Sequence, residues 1–280
     1  MTPPTNEDNA LFASQQAVDA WQRGEASRAD VLGPATETML DLAGVRPGGQ
    51  VLDVAAGTGE QALVAARRVG PTGAVLATDI AAPMLERAAA SARQAGLDWV
   101  TTQIMDAHDL ALPGDRFDAV ICRQGLMYLA DLDRALAGMR RVLRDGGHLA
   151  ALVWSTPARN PALALALAVG HRHAGPASPP PEQVQMFALS DPTTLSAAFV
   201  RAGFREVAIH PTPILRRYPS AADAARDQRI SFVALHPYLT GLSEPDRAQV
   251  WEEIEHGLRR FEGQRGYEAP GELLIAVGTK

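Results

Sequence analysis

The segment Val51-Leu-Asp-Val-Ala-Ala-Gly-Thr-Gly-Glu60 limits the possible folds more than any other part of the chain. A short run of strand formers, of the kind buried on both faces, ends at two glycines, and a helical Ala/Leu/Arg pattern starts directly behind them. Gly57 and Gly59 lack a Cβ, so the chain can turn sharply and a ligand can lie against its backbone. Strand-like and helix-like patterns keep alternating from 50 to 154, the signature of a parallel sheet covered on both faces. Strands are predicted over 51–55, 74–79, 99–105, 117–122 and 148–154, and helices over 61–69, 82–95 and 132–143. Glycine-rich breaks at 70–73 and 145–147 mark helix ends leading into strands.

The turn carries Asp53 on one side and Glu60 on the other, with no Lys or Arg following before Arg67. Two local carboxylates oppose an anionic pyrophosphate and attract a cation, such as the sulfonium and ammonium of S-adenosylmethionine (SAM). A rival reading exists, because Gly57-Thr-Gly-Glu-Gln-Ala62 also fits the dinucleotide fingerprint and Asp79 stands 20 residues beyond Gly59.

Bulk properties exclude more than they identify. A net charge of −6 over 280 residues opposes a general nucleic-acid or anionic-membrane binder. The single cysteine, Cys122, permits no intrachain disulfide and fits a reducing cytoplasm. It ends a buried strand and reads as an inert core thiol. Lys280 is the only lysine, which removes Schiff-base chemistry and a P-loop lysine. Residues 1–9 lack a signal pattern and the apolar run 161–170 is too short to span a bilayer, so a soluble cytoplasmic monomer or homodimer is expected.

Two helices are expected before the core, over 7–21 and 29–44, and the character changes after it. An Ala/Leu helix and the proline cluster at 179–181 read as an insertion. A helix from Asp191 to Gly203, a strand over 205–210, a helical stretch over 220–263 and a terminal strand over 273–277 follow. The expected division is N-terminal cap helices at 1–44, a cofactor-binding core at 45–154 and a lid at 155–192. Core continuation at 193–219, a helical cap insertion at 220–268 and a terminal core strand at 269–280 complete it.

The loop 53–59, the strand end Leu76-Ala-Thr-Asp79 with Ile80 and Met84, Asp106-Ala-His-Asp-Leu-Ala-Leu-Pro113, Phe117-Asp-Ala-Val and Arg140-Arg-Val-Leu-Arg-Asp-Gly-Gly147 occur in order. Together they resemble the class I SAM-dependent methyltransferases, most closely the small-molecule group related to the ubiquinone/menaquinone C-methyltransferases. The resemblance implies an α/β fold: a Rossmann-like, seven-stranded, mostly parallel sheet with an antiparallel last strand, plus a helical cap from the N-terminus and late insertions. It also implies that Asp79 accepts from both ribose hydroxyls, that Asp106 and the Ala107 backbone meet the adenine amino group, and that Ile80 and Met84 sandwich the ring. Asp53, Gly57 and Arg123 or Gln124 belong at the methionine end, with Ala55, Thr58 and Gly59 completing the loop.

Plainer roles stay open at this stage: Asp106 as a turn cap, Met84 as core, Arg123 as the partner of a surface acid. Ala55 stands where many relatives have the first glycine, a substitution familiar in the quinone-related group. Gln124-Gly-Leu-Met-Tyr-Leu departs from the Gly-Leu-Arg-Asn usual in the quinone enzymes, which argues against a quinone precursor as acceptor.

Methyl transfer is an in-line displacement that rests on alignment and exclusion of water, and a protonated nucleophile gains from a nearby base. His148, His108 and His256 are discounted by position. Of His171, His173, His210 and His236, His236 lies among aromatics and is taken with Tyr128 as a catalytic candidate, although a helix-terminal role also suits it. His171 and His173 point to different sides of a helix and have no companion at ligand spacing, so no metal is expected. Trp21 and Tyr128 are expected to line the pocket. Phe187, Phe232, Tyr238, Trp251 and Phe261 predict either an apolar acceptor pocket or a packed cap. The activity implied is methyl transfer from SAM to O, N or C of a small lipophilic or aromatic metabolite. The alternatives are a SAM-fold protein without methyl transfer and an NAD-dependent oxidoreductase.

Overall fold

The computed structural model describes residues 19, 21 and 23–280. The helix expected over 7–21 therefore lies largely outside the described residues. Helix α1 (Glu25–Leu42) leads into strand β1 (Gln50–Val54), helix α2 (Glu60–Val69), β2 (Ala74–Asp79), α3 (Ala82–Gln94), β3 (Val100–Ile104) and β4 (Phe117–Arg123). Helix α4 (Leu132–Val142), β5 (Leu143–Trp154), α5 (Pro161–Ala174), α6 (Pro192–Arg201) and β6 (Arg205–Tyr218) follow. The chain then forms α7 (Ala221–Ser231), α8 (His236–Leu239), α9 (Glu244–Leu258), the two-residue strand β7 (Glu262–Gly263) and β8 (Gly266–Thr279).

The strands form one sheet in the order β3-β2-β1-β4-β5-β8-β6, with β7 attached to β8. Strands β1 to β5 pair in parallel, and β8 runs antiparallel to both β5 and β6. Alternation along the strands builds two cores at once. Leu52, Val54, Leu274 and Ala276 face α4 and α6, while Val51, Leu273 and Ile275 face α1 and α2. A third cluster, from α5, α7, Leu235, Tyr238 and α9, closes over the upper parts of β6 and β8 through Tyr267 and Ala269.

Strands β6 and β8 run well past the lengths the sequence pattern predicts, 205–210 and 273–277. Their paired arms reach from Thr212↔Leu273 out to Tyr218↔Tyr267. The missed residues contain Pro211, Pro213 and Pro270, which normally exclude a strand. Here β6 is an edge strand, and β8 pairs with β5 only up to Trp154↔Leu273, so these prolines have an open side. Strand β5 likewise starts five residues before the predicted 148, because Leu143 already pairs with Phe117 ahead of an irregularity in register.

The cap helices start on local signals. Ser220 accepts from the Asp223 N–H and Ser243 from the Asp246 N–H, so both helices open on a serine with an acid three residues on. Asn160 ties the segment after β5 to the sheet. Its side chain is buried, donates to the carbonyls of Ser155 (3.1 Å), Thr156 (3.2 Å) and Glu272 (2.9 Å), and accepts from the Glu272 N–H (3.1 Å). Asn160→Ala would leave the Glu272 N–H and the Ser155 carbonyl without this partner in a buried site, while the Thr156 and Glu272 carbonyls keep the N–H groups of Arg159 and Ser155, a loss of about 1–3 kcal/mol. The urea midpoint of the variant is expected to fall accordingly, with the slope of the transition unchanged.

Candidate active site

The carboxyl ends of β1, β2 and β4 open beneath the cap into a cavity of about 1680 Å³, counted out to its solvent mouth. Trp21, the first turns of α1, the loop 55–58, Asp79, Ile80, Met84, 105–108, 123–125 and Tyr128 line the sheet side. The cap side consists of Trp154, Leu163, Met186, Arg216, Asp227, Gln228 and 231–234.

The β1 turn is strained and close-packed. Ala55 has φ 57°, in the left-handed region where a side chain costs about 1–2 kcal/mol, and Gln124 at the end of β4 has φ 62°. Between them Gly125 leaves room, since a Cβ there would lie 2.6 Å from the Ala55 Cβ. Gly59 combines φ 84° with an approach of 2.7 Å to the Ala88 Cβ, so only glycine fits as helix α2 begins. Asp79, at the tip of β2, accepts from the Gly57 N–H (2.8 Å) and the Ala81 N–H (2.9 Å), which fixes both carboxylate oxygens at the cavity wall. Burial pushes its pKa up against those two bonds.

The charge pattern of the turn differs from the one its local sequence predicts. Glu60 is not an uncompensated carboxylate. Arg28 grips it through Nε (3.1 Å) and a shorter second contact, and Arg123 donates to it at 2.6 Å and to the Thr36 hydroxyl at 3.3 Å. Burial alone would raise the Glu60 pKa, but the two guanidinium groups hold it below the usual carboxylate range. Asp53 is completely buried and bonded by Gln61 (3.1 Å), with its Oδ2 unpartnered. Burial pushes its pKa up to about 8. The turn thus carries two arginines, one ionised glutamate and a largely neutral aspartic acid. The expectation of a negatively lined turn fails because the offsetting cations come from positions 28 and 123, far from the loop in sequence.

Asp106 is half exposed, and partial burial is the largest single influence on its carboxyl, pushing its pKa up. The His108 backbone N–H (2.9 Å) and ring Nδ1 (2.7 Å) outweigh that and hold it low. The carboxylate therefore forms a turn, with His108 Nε2 in turn accepting from the Asp131 N–H (3.2 Å), while the segment still lines the cavity. Met84 belongs to a small buried cluster with Ala81 and Trp21, beside Ile80 at the wall. Arg28 also lies over the Trp21 ring, at 4.3 Å.

The two catalytic candidates separate. Tyr128 lines the cavity, and burial pushes its hydroxyl up to about 12, so at neutral pH it is a donor and not a base. His236 does not line it: the short turn Val233–Leu235 faces 231–234 inward, and His236 begins α8 beyond it. Of the other three cap-side candidates His171, His173 and His210, none reaches the cavity; His171 bonds Ser178 and His173 bonds Glu253. Among the five cap aromatics only Phe232 lines it, and the others pack the cap itself. Cys122 is buried below the site, and burial with the nearby Asp53 pushes its thiol up to about 12, so it stays protonated. Arg28, Ser27, Gln61, Arg216, Asp227 and Gln228 were not singled out by sequence. The S-x-x-D start of α7 could have marked where that helix begins, but nothing local marks which of its faces turns inward.

Seven buried side-chain atoms have no hydrogen-bond partner among the described residues, and those of Arg28, Thr58, Gln124 and Gln228 belong to residues lining this one cavity. Orphaned polar atoms concentrated in one cleft indicate a polar ligand with both donors and acceptors.

Comparison with known proteins agrees with this geometry. Residues 51–147 match the family of the methyltransferase domain. An uncharacterised Mycobacterium bovis protein is 38% identical over 157 residues, 54% of each chain. The ubiquinone/menaquinone biosynthesis C-methyltransferase of Bordetella parapertussis is 44% identical over 120 residues, 43% of this chain and 46% of that one. This chain spans about half the length of the curated relatives it matches. Phosphoethanolamine N-methyltransferase 2 of Haemonchus contortus, solved with S-adenosyl-L-methionine, superposes with a TM-score of 0.61 at 15% identity, covering 97% of this chain and 59% of that one. At that identity the likeness shows a shared Rossmann-like fold alone.

The protonation of Asp53 has a measurable consequence. With a folded pKa near 8 and an ordinary value near 4, the folded chain holds a proton that the unfolded chain has released between those limits. The contribution of Asp53 to stability therefore falls as pH rises from about 4 to about 8. Asp53→Asn is expected to flatten that part of the profile, as read by urea unfolding at intervals of one pH unit.

Proposed function

We propose that the chain, whose residues 51–147 match the methyltransferase domain family, binds SAM in this cavity and transfers its methyl group to a small lipophilic or aromatic molecule held under the cap. The observation that carries the reading is the pairing of the fixed Asp79 carboxylate with orphaned polar atoms along the same wall. Asp79 keeps lone pairs free for two ribose hydroxyls after accepting from Gly57 and Ala81. Ile80 and Met84 provide apolar surface for the adenine, and Asp106 and Ala107 the acceptors for its amino group. The zwitterionic methionine end suits the other side of the turn. Arg28 and Arg123 against the single Glu60 leave one net positive charge for a carboxylate, and Asp53 beneath Ala55 supplies an acceptor that ionises when an ammonium approaches. Ala55, Gly57, Thr58, Gly59 and Gln124 complete the wall around it.

When bound, SAM supplies an electrophilic methyl carbon. The chain's own residues orient the two reactants and exclude water. Trp154, Phe232, Met186, Leu163 and Tyr128 form the apolar part of the acceptor side, which suits a small lipophilic molecule. No helix among the described residues is long and apolar enough to cross a membrane.

The test is calorimetric titration with SAM and its demethylated product, followed by incubation with methyl-labelled SAM and a metabolite extract. Micromolar binding and a labelled small molecule are expected. Tighter binding of NADH than of SAM would reject the reading. Bonds to a charged group contribute about 1.5–3 kcal/mol each, so Asp79→Ala should weaken SAM binding at least tenfold.

A further inference from the structure

The strongest polar feature outside the cofactor wall is on the cap side. Tyr218 at the end of β6 donates to Asp227 Oδ2 (2.7 Å), and Ser27 of α1 lies 3.0 Å from the same oxygen and 2.8 Å from the Tyr218 hydroxyl. Ser231 donates to the Asp227 carbonyl (2.9 Å) and approaches the same Oδ2 at 3.4 Å. Every side-chain contact of the carboxylate falls on Oδ2, and Oδ1 accepts no bond among the described residues. Burial pushes the Tyr218 hydroxyl up to about 12, so it remains a donor to Asp227. Asp227 and its neighbour Gln228, whose amide oxygen is buried and unpartnered, both line the cavity.

The position of Asp227 along the cavity follows from chain continuity. Ser27 and Arg28 are adjacent, about 3.8 Å apart at Cα. Ser27 holds Asp227, while Arg28 holds Glu60 at the glycine turn. Asp227 therefore stands on the α1 side of the cavity, held by the residue next to the arginine that grips the glycine turn.

We propose, building on the methyl-transfer reading, that Asp227 is a catalytic residue that takes the proton from a hydroxyl acceptor, making the chain an O-methyltransferase of small hydroxylated apolar molecules. The acceptor oxygen bonds to the methyl carbon, the carbon–sulfur bond breaks with its electron pair left on sulfur, and the O–H proton passes to Asp227 Oδ1. Ser27, Tyr218 and Ser231 hold the opposite oxygen and fix the direction of Oδ1. One cation favours a hydroxyl over a protonated amine. Arg216 lines the cavity over Trp154 at 5.2 Å with no ion pair among the described residues. Its charge repels an ammonium and stabilises an oxygen becoming negative.

The probes are 2-naphthol, its methyl ether and 2-naphthylmethylamine, titrated into protein loaded with S-adenosylhomocysteine. Wild type is expected to bind naphthol at least tenfold more tightly than the ether or the amine and to methylate it from labelled SAM. Asp227→Asn should bind the homocysteine product within twofold of wild type, lose the preference for naphthol, and transfer methyl at least 100-fold more slowly. If that variant fails to hold the product, Tyr218→Phe serves instead, with a three- to tenfold smaller naphthol preference expected at unchanged product affinity. Equal binding of naphthol and ether by wild type, tighter binding of the amine, or full transfer by the variants would overturn the proposal. Failure of wild type to bind SAM or its product at all would instead reject methyl transfer itself.

Discussion

Glu60, held between Arg28 and Arg123, joins three parts of the chain that are distant in sequence: the N-terminal helix, the turn after β1 and the end of β4. All three side chains are largely buried, so each has given up most of its hydration. The cost is offset only while both guanidinium groups reach the same carboxylate, with Thr36 taking a further Arg123 N–H. Removing one partner from such a buried group typically costs about 3–5 kcal/mol, because a charge is left without its complement. Glu60 also occupies the first turn of α2, where the helix dipole favours a negative side chain. A displacement of α1 or a slip of β4 would break this arrangement, so the geometry of the cavity depends on it.

Backbone strain lies beside the same contact. Ala55 and Gln124 end neighbouring parallel strands, both in left-handed conformations, and Gly125 allows their close approach. Left-handed alanine and glutamine persist only where the surrounding structure holds them, and such positions cluster at ligand sites. Here the strain turns two strand ends outward and delivers Gly57 and Thr58 to the cavity wall. The side chains of Thr58 and Gln124, carried on these two turns, line the cavity with a buried hydroxyl and amide nitrogen that have no partner among the described residues.

The part of the fold built from local periodicity was legible in the sequence. Strands β1, β2 and β4 and helices α2 to α4 lie within a few residues of their predicted bounds, since period 2 and period 3.6 are properties of short windows. The long arms of β6 and β8 were not, because Pro211, Pro213 and Pro270 are acceptable only where a strand has an open edge, which no local window reveals. The sign of the turn was misread for a related reason: Glu60 is acidic in sequence, yet its partners lie 32 and 63 residues away. Likewise, aromatic content left a pocket and a packed cap both open for Phe187, Tyr238, Trp251 and Phe261, and the structure uses these four to pack a cap that needs a core of its own. His236 illustrates the limit most plainly, since two residues of chain decide whether a side chain enters the cavity.

Cap and core are joined less by helix packing than by the sheet. The arms of β6 and β8 carry Tyr218, Tyr267 and Ala269 from the edge of the Rossmann-like core into the cap cluster, and Trp154 packs against both core clusters and the cap cluster. The position of the acceptor side relative to the glycine turn is therefore set by backbone hydrogen bonding, which is stiffer than contact between helix faces. On the proposed methyl-transfer reading, displacement at a sulfonium carbon needs the two reacting atoms in line and water kept out. A cap built on rigid strands meets that demand. It also explains why the polar side chains of the acceptor side, Arg216, Tyr218 and Asp227, come from the end of an extended strand and the helix that follows it: there, side-chain direction is fixed by register before any ligand arrives.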